Sequence, residues 1–388
     1  MEEGYLYFVP DYLKDFGCKM GACRHACCNG WQVSVPMETY FKLLGMPCNP
    51  EMRRRLDVGL RMVDRPTPEE YAFFNPRYDG DCPMRMGDGR CSIHAELGEE
   101  QLPDVCRLYP RGVRLEKEGY ECSLANSCEG TLELFLHRTA PLTFKEECFS
   151  FAPPPLPGRS LQFGLEGYHR ALRLYYIGIL KERRMPLWAR LICLGKELRV
   201  TEQAVKNGDL DRVRAQLDTP LSALSAGLDG VPEGDLAFAM GVMTRLVDGL
   251  DRHSVSVREA GARALGYFEG GDVLERYTRA KDAFEKNLPE WEIFFEHILV
   301  NHLFFSLFPF QDRPDSFEEE CSALCAIYAL MRFLCLGCLA EEYSEERLID
   351  LLATTFRLID HTNFERYAGK LLRAGGCRMQ DAYALLLL

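Results

Sequence analysis

The chain has 388 residues, 47% of them hydrophobic and 27% charged, with a formal net charge of −12. That length can bury a core without covalent staples and suffices for two or three domains. The acidic balance sets nucleic acid and anionic membrane surfaces aside as main partners, and no low-complexity tract interrupts the sequence.

Met1 to Pro10 lacks the basic and apolar regions of a secretory signal, so a cytoplasmic location with reduced thiols is expected. Residues 5–16 are rich in aromatics and lead into the first cysteines. Ser34 is expected to cap a helix that has Pro36 near its first turn, runs to about Leu44 and is closed by Gly45. The spacing of Met52, Leu56, Leu60 and Val63 predicts a second helix from Pro50 to about Val63. Prolines at 66, 68, 76 and 83 and glycines at 80, 87 and 89 make residues 64–90 a loop with at most short strands. Val113, Leu115, the turn Lys117-Glu118-Gly119 and Tyr120 predict a small hairpin between Gly112 and Cys122. Ser127 is expected to cap a helix from Glu129 to about His137, and the proline run from Pro153 to Gly158 reads as a linker.

Beyond the linker the apolar period is helical over 160–184, 186–207, 210–226, 234–250, 254–267, 272–310 with a break, 316–341, 344–359 and 364–387, with no recurring repeat. Ser322–Ala340 is about as long and apolar as a bilayer span. Arg332 near its middle, and a pattern that one helical face explains, read instead as a buried helix, so no transmembrane segment is expected. The fold class is therefore mainly α: an irregular cysteine-rich α+β metal-binding module over 1–152, followed by an all-α helical domain over 159–388.

Seventeen cysteines is an odd number, so they cannot all pair with one another. In a reducing compartment such density points to metal rather than disulfides. Cys18, Cys23, Cys27 and Cys28 fall within one short stretch, and others follow at 48, 82, 91, 106, 122 and 128. A zinc site commonly takes four ligands as two close pairs, whereas an iron–sulfur cluster accepts more varied spacing. The adjacent Cys27 and Cys28 are awkward for one tetrahedral ion and suit a cluster or two sites sharing a wall. The spacing does not choose the metal, and a set of buried free thiols is the plain alternative. The cysteine triplet of radical S-adenosylmethionine enzymes and a Gly-x-Gly-x-x-Gly turn after a strand are both missing. Cys321, Cys325, Cys335 and Cys338 lie at helical spacing and read as core, and the solitary Cys148, Cys193 and Cys377 are read the same way.

Phe16-Gly-Cys18, Cys23, Cys27-Cys28-Asn-Gly-Trp31, Cys82-Pro, Cys91-Ser-Ile-His94, Leu97-Gly-Glu, Cys106-Arg-Leu-Tyr109-Pro-Arg111 and Glu121-Cys-Ser-Leu-Ala-Asn-Ser-Cys128 carry a resemblance. In this order, over residues 8–137, the chain resembles the flagellin lysine-N-methylase family. The subset Cys27-Cys28, Cys82, Cys91 and Cys106-Arg-x-Tyr-Pro also resembles smaller proteins described as zinc- or iron-chelating. Past the linker only Glu292–Pro309 adds to the likeness. The resemblance implies transfer of a methyl group from S-adenosylmethionine to lysine ε-amines of flagellin, with a [4Fe–4S] cluster, or zinc in its place. It marks eight cysteines as metal ligands: Cys18, Cys23, Cys27, Cys28, Cys82, Cys91, Cys106 and Cys128. Cys122 falls at a variable position of the pattern and Cys48 lies outside it, so neither is counted among the ligands.

Lysine methylation needs a neutral amine, so a group that takes the proton or strips away water is required. Tyr109 and Glu121, inside the matched motifs, are the catalytic candidates; the plainer readings are a packed aromatic and a salt bridge to Arg107, Arg111 or Arg114. Arg107 and Arg111 are candidates for binding the donor's carboxylate as a fork, or for neutralising the thiolates. His25 and His94 read as supporting or surface groups, and Trp31 as core. The expected activity is that of a protein-lysine N-methyltransferase using S-adenosylmethionine on flagellin. The alternative is a non-catalytic zinc- or iron-binding protein.

Overall fold

In the computed structural model the described residues are 4–24, 27–29, 32–154, 165, 167–225, 236–250, 255–311, 316–377 and 379–386. In chain order the strands are β1 (Tyr5–Pro10), β2 (Val33–Val35), β3 (Leu60–Met62), β4 (Ala72–Phe74), β5 (Arg111–Glu116), β6 (Gly119–Leu124) and β7 (Phe144–Phe149). The helices begin with α1 (Met37–Gly45), α2 (Pro50–Gly59), α3 (Ser92–Leu97), α4 (Asp104–Leu108), α5 (Glu129–Leu136), α6 (His169–Leu180), α7 (Leu187–Asn207) and α8 (Leu210–Leu217). They continue with α9 (Leu236–Asp248), α10 (Val255–Glu269), α11 (Val273–Asn287), α12 (Trp291–Phe305), α13 (Phe317–Leu339), α14 (Glu345–His361), α15 (Phe364–Ala374) and α16 (Met379–Ala384). The fold is mainly α, as the periodicity predicts. Contacts divide the chain into a small unit, Phe16–Gly112, and a large one made of Met1–Asp15 and Val113–Leu388.

The small unit carries a three-stranded antiparallel sheet in the order β2-β4-β3, with Val33, Val35, Leu43, Met52, Leu56 and Phe74 in its core. Two expectations need correction here. Ser34 does not cap α1: it lies in β2 opposite Phe73, and Pro36 takes the cap position. Helix α2 is capped by Asn49, whose side chain accepts from Met52 N at 2.8 Å, but it stops at Gly59 rather than reaching Val63. A Cβ at Gly59 would lie 2.5 Å from Pro83, so the chain passes close under the proline, and Leu60–Met62 then pair with β4 instead of adding a helical turn.

In the large unit the predicted hairpin forms as β5 and β6 and is extended to the order β5-β6-β1-β7. Strand β1 runs antiparallel to β7, from Tyr5 opposite Phe149 to Pro10 opposite Phe144, and parallel to β6. Tyr7, Phe149 and Phe151 pack together there, and the Tyr7 hydroxyl donates to Phe151 O at 2.8 Å. This pairing places residues 4–15 and 113–154 with the helices, so the contacts divide at Gly112 and not at the proline run. Residues 155–158 of that run lie outside the described residues.

The central element of the large unit is α13, which packs against α7, α10, α11, α14, α15 and α16. It is long and apolar enough to cross a membrane, and its apolar stretch is wholly buried among these neighbours. Cys321, Cys325, Cys335 and Cys338 are buried along it, as is Cys193 on α7. Cys148 departs from the expected core position: it is exposed on β7. Ser127 is not the cap of α5 either; Cys128 holds that position and the Ser127 Oγ lies 2.8 Å from His361 Nε2. The break expected in 272–310 falls between α11 and α12, and the last helical stretch is split at Gly375 and Gly376, the second with φ +74°.

Candidate metal centre

In the small unit the cysteines sit on loops and helix ends held together by the backbone. Cys82 N donates to Cys28 O at 3.0 Å, and Asn29 bridges to Asp81 with a side-chain bond of 2.6 Å. The 82–91 loop is closed by Met86 N to Arg90 O and Ser92 N to Met84 O, both 2.8 Å, and by the bridge between Arg85 and Cys91. Cys91 occupies the cap position of α3, and Cys106 lies within α4. Gly21 and Gly89, with φ of +102° and +85°, touch backbone to backbone: a Cβ on Gly21 would come 2.5 Å from the Gly89 carbonyl carbon. That contact seats the Cys18–Cys23 loop on the Cys82–Cys91 loop, and only glycine permits it.

The thiols converge as a result. Cys27 and Cys82 donate hydrogen bonds to Cys28, which holds the Cys28 thiol well below its ordinary value, helped by the Arg85 charge and opposed by burial. The two donors are pushed up, first by those same bonds and then by burial. Burial raises Cys91 and Cys106 as well, and each responds to the Cys28 charge. Cys18 and Cys106 act on Cys27. Five of the eight expected cysteines, Cys27, Cys28, Cys82, Cys91 and Cys106, are therefore in mutual electrostatic reach, with Cys18 at the edge. Arg85 beside them is fixed by Asp81, at 2.8 and 2.9 Å, and Asp81 also accepts from Arg77 at 3.1 Å.

Cys23 is half-buried on the loop that carries Cys18, and Cys128 belongs to the large unit. His25 and Trp31 lie outside the described residues. All seventeen cysteines are free of disulfides. Soft sulfur donors from four chain segments, with a guanidinium nearby, are the donor chemistry of a thiolate-held metal, and the residues fit such a group. Among the described residues no group of three or more His, Cys, Asp or Glu side chains is already set to hold a metal ion.

The remaining candidates are spread over both units. Arg107 is paired to Asp104 at 2.9 Å, and Arg111 lies over the Phe16 ring, 5.6 Å from its centre. Tyr109 is half-buried before Pro110, between these two arginines in sequence. Glu121 is in the large unit, 1% exposed, with its two oxygens bound by Arg170 at 2.8 Å and Arg173 at 2.7 Å. It forms the salt bridge that was its plainer reading, with arginines of α6 in place of those beside the hairpin. His94 is half-buried in α3.

Sequence reasoning missed a second cluster. Asn301 donates to Leu124 O and to Asn126 Oδ1, both at 2.7 Å, and meets the Tyr12 hydroxyl. Asn126 donates to Ile298 O at 3.0 Å, and Ser127 N donates to Asp360 at 3.2 Å. The Glu121–Cys128 motif and the Glu292–Pro309 stretch are thus bonded to each other. Asn301, a buried amide inside the apolar run of α12 and away from both its caps, was the available signal.

A family model described as the FliB lysine N-methylase C-terminal domain matches residues 173–387, within the large unit; the thiol cluster lies outside the matched residues. The lysine-N-methylase of Salmonella choleraesuis (strain SC-B67) is 22% identical over 278 residues, 70% of this chain and 64% of that protein. The lysine-N-methylase of Salmonella typhimurium (strain LT2) is similar to the same extent. The flagellar biosynthetic protein FliU of Salmonella muenchen is 24% identical over 119 residues, 31% of this chain and 70% of that protein. The match thus spans less than two thirds of the length of the two lysine-N-methylases. No solved structure matches the chain.

Proposed function

The chain belongs to the FliB lysine N-methylase family, and on that premise we propose that it methylates lysine side chains of flagellin with S-adenosylmethionine as donor, in the cytoplasm. The observation that carries this reading is the family match over residues 173–387. In the reaction the lysine nitrogen's lone pair attacks the sulfonium methyl carbon, the carbon–sulfur bond breaks toward S-adenosylhomocysteine, and the nitrogen gives up a proton. A charged amine has no lone pair to use, so the site has to lower the lysine pKa from about 10 or accept its proton.

Tyr109 is the group proposed to take that proton, and Arg111 the one proposed to hold the donor's carboxylate. Arg107 already spends a donor on Asp104. Glu121, enclosed by Arg170 and Arg173, is assigned to the fold. The thiols of Cys27, Cys28, Cys82, Cys91 and Cys106, with Cys18 beside them, are proposed to hold a [4Fe–4S] cluster, with zinc as the alternative. Such a centre, when bound, would cross-link four chain segments by sulfur–metal bonds and add a fixed local charge. The chain's own part is to bring the thiols together through the contact of Gly21 with Gly89 and to keep a cation, Arg85, beside the thiolates.

A non-catalytic zinc- or iron-binding protein would need the same cysteines, but gives no role to the large helical unit that the family match covers. Incubation of anaerobically purified chain with methyl-labelled S-adenosylmethionine and flagellin separates the two. Label on flagellin lysines is expected; a metal-loaded chain that leaves every lysine unlabelled would favour the binder.

A further inference from the structure

In the small unit, helix α1 and the residue before β4 bring three aromatic rings together. Ring centres lie 5.3 Å apart for Tyr40 and Phe41, 5.2 Å for Tyr40 and Tyr71 and 5.6 Å for Phe41 and Tyr71, with the planes inclined by 85°, 57° and 46°. The two tyrosines pack onto the core of the unit, whereas Phe41 is 55% exposed and Met37, one turn before it, 40%. Apolar side chains exposed singly need no partner, but rings fixed against one another, with the outermost open to solvent, form a ready π surface. Elsewhere the chain sets its own cations over its rings, as Arg170 over Phe8 at 4.7 Å, Arg276 over Tyr267 at 5.3 Å and Arg332 over Trp291 at 4.0 Å. Among the described residues no arginine or lysine lies over Tyr40, Phe41 or Tyr71, and Lys42, next along α1, is drawn to Glu100 O at 3.0 Å.

Carboxylates gather there instead. Glu38 stands three residues before Phe41 on α1 and is its neighbour on the helix surface. Met37 N donates to Pro68 O at 2.9 Å, which sets the turn closed by Thr67 N to Glu70 O beside the start of α1. Glu38, Glu69 and Glu70 are exposed, and none of them forms an ion pair among the described residues. Against them the 64–71 loop sets a single cation, Arg65. We propose that this surface binds a methylated lysine side chain presented by a protein, the alkylated ammonium seating on Phe41 beside the two tyrosines and drawn in by the carboxylates. Methyl groups spread the charge and make its desolvation cheap, and π faces and carboxylates both favour a cation. A free quaternary amine calls for a concave site that encloses it, whereas an open surface suits a side chain carried to it. That the ligand is a product of lysine methylation rests on the function proposed above.

A labelled, otherwise neutral peptide with one trimethyllysine tests this on the full chain by fluorescence polarisation. Saturable binding is expected. It should be about fivefold weaker for the peptide with unmodified lysine, for the isostere with a tert-butyl group in place of the trimethylammonium, and for Phe41→Leu, and be kept in Phe41→Trp. Phe41 is exposed, so these variants leave the core intact. Glu38→Gln with Glu70→Gln should weaken binding and flatten its dependence on salt. No saturable binding, equal binding of the tert-butyl peptide, unchanged affinity in Phe41→Leu, or displacement of the peptide by an equal concentration of choline would each overturn the site. The peptides carry their methyl groups from the start. A chain that methylates flagellin but ignores them loses only this site, and one that binds them without methylating loses only the function proposed above.

Discussion

Two buried histidines on α12, His297 and His302, have opposite preferences for the proton. Burial lowers His297 to about 4, against the pull of Glu296, and its Nε2 lies 3.1 Å from Ala140 O. Burial would also lower His302, but Glu365 and Asp360 on either side override it and lift the group to about 10. A histidine held neutral contributes stability that is complete above its unfolded value, near 6.5, and is lost as pH falls toward 4. One held charged contributes stability that is complete below 6.5 and is lost as pH rises through 10. The melting temperature should therefore fall on both sides of neutrality. His297→Gln should flatten the acid limb and His302→Gln the alkaline one, as a pH series of thermal melts would show. Unchanged limbs in both variants would contradict these assignments.

At the next scale, helix α12 is tied to its neighbours by Glu296, fully buried, which accepts from Arg183 twice at 2.8 Å and from Arg190 at 2.7 Å. Removing one member of a buried pair leaves the other charge uncompensated. Glu296→Gln should cost about 3–5 kcal/mol in a denaturant titration; a loss below about 1 kcal/mol, typical of surface pairs, would mean that the arginines find other partners. In the small unit the corresponding tie is backbone. A side chain at Gly89 meets the carbonyl of Gly21 and strains a φ of +85°, so Gly89→Ala should part the two cysteine loops. Metal bound per chain should drop while the helical circular dichroism stays, because the helices are chiefly in the other unit.

These elements also show what the sequence made legible. Helical period located helices such as α8, α11 and α14 because each buries one face, and an apolar stripe at that spacing has few other solutions, whereas α12 and α13 are buried on nearly every side and stand out by length and apolarity. The short elements escaped it. Three-residue strands such as β2 and β3 carry too little pattern, and Ser34 and Ser127 looked like caps because a serine before an apolar run satisfies the same local rule whether or not a partner strand or His361 claims it. Strands β1 and β7, paired across more than a hundred residues of chain, have no local signal for their partnership. At the candidate centre the cysteines were evident from density alone, whereas their grouping depends on Gly21, Gly89 and Asp81, residues that a loop reading treats as filler.

For the molecule as a whole, family membership rests on the helical unit and the proposed chemistry on the thiols of the other. The two are linked only if the sulfurs of Cys27, Cys28, Cys82, Cys91 and Cys106 hold one centre. The buried cysteines of α13 provide the internal control, since they pack as apolar groups and Cys325 donates to Cys321 rather than facing a site. The most direct measurement is the count of iron and zinc per chain, taken with the visible absorption spectrum on anaerobically purified protein. It should be made for the wild type, Cys28→Ser and Cys335→Ala. One metal centre per chain is predicted, with sulfur-to-iron bands if it is the cluster, lost in Cys28→Ser and kept in Cys335→Ala. A wild-type chain without metal, or a Cys28→Ser chain that retains it in full, would contradict the account.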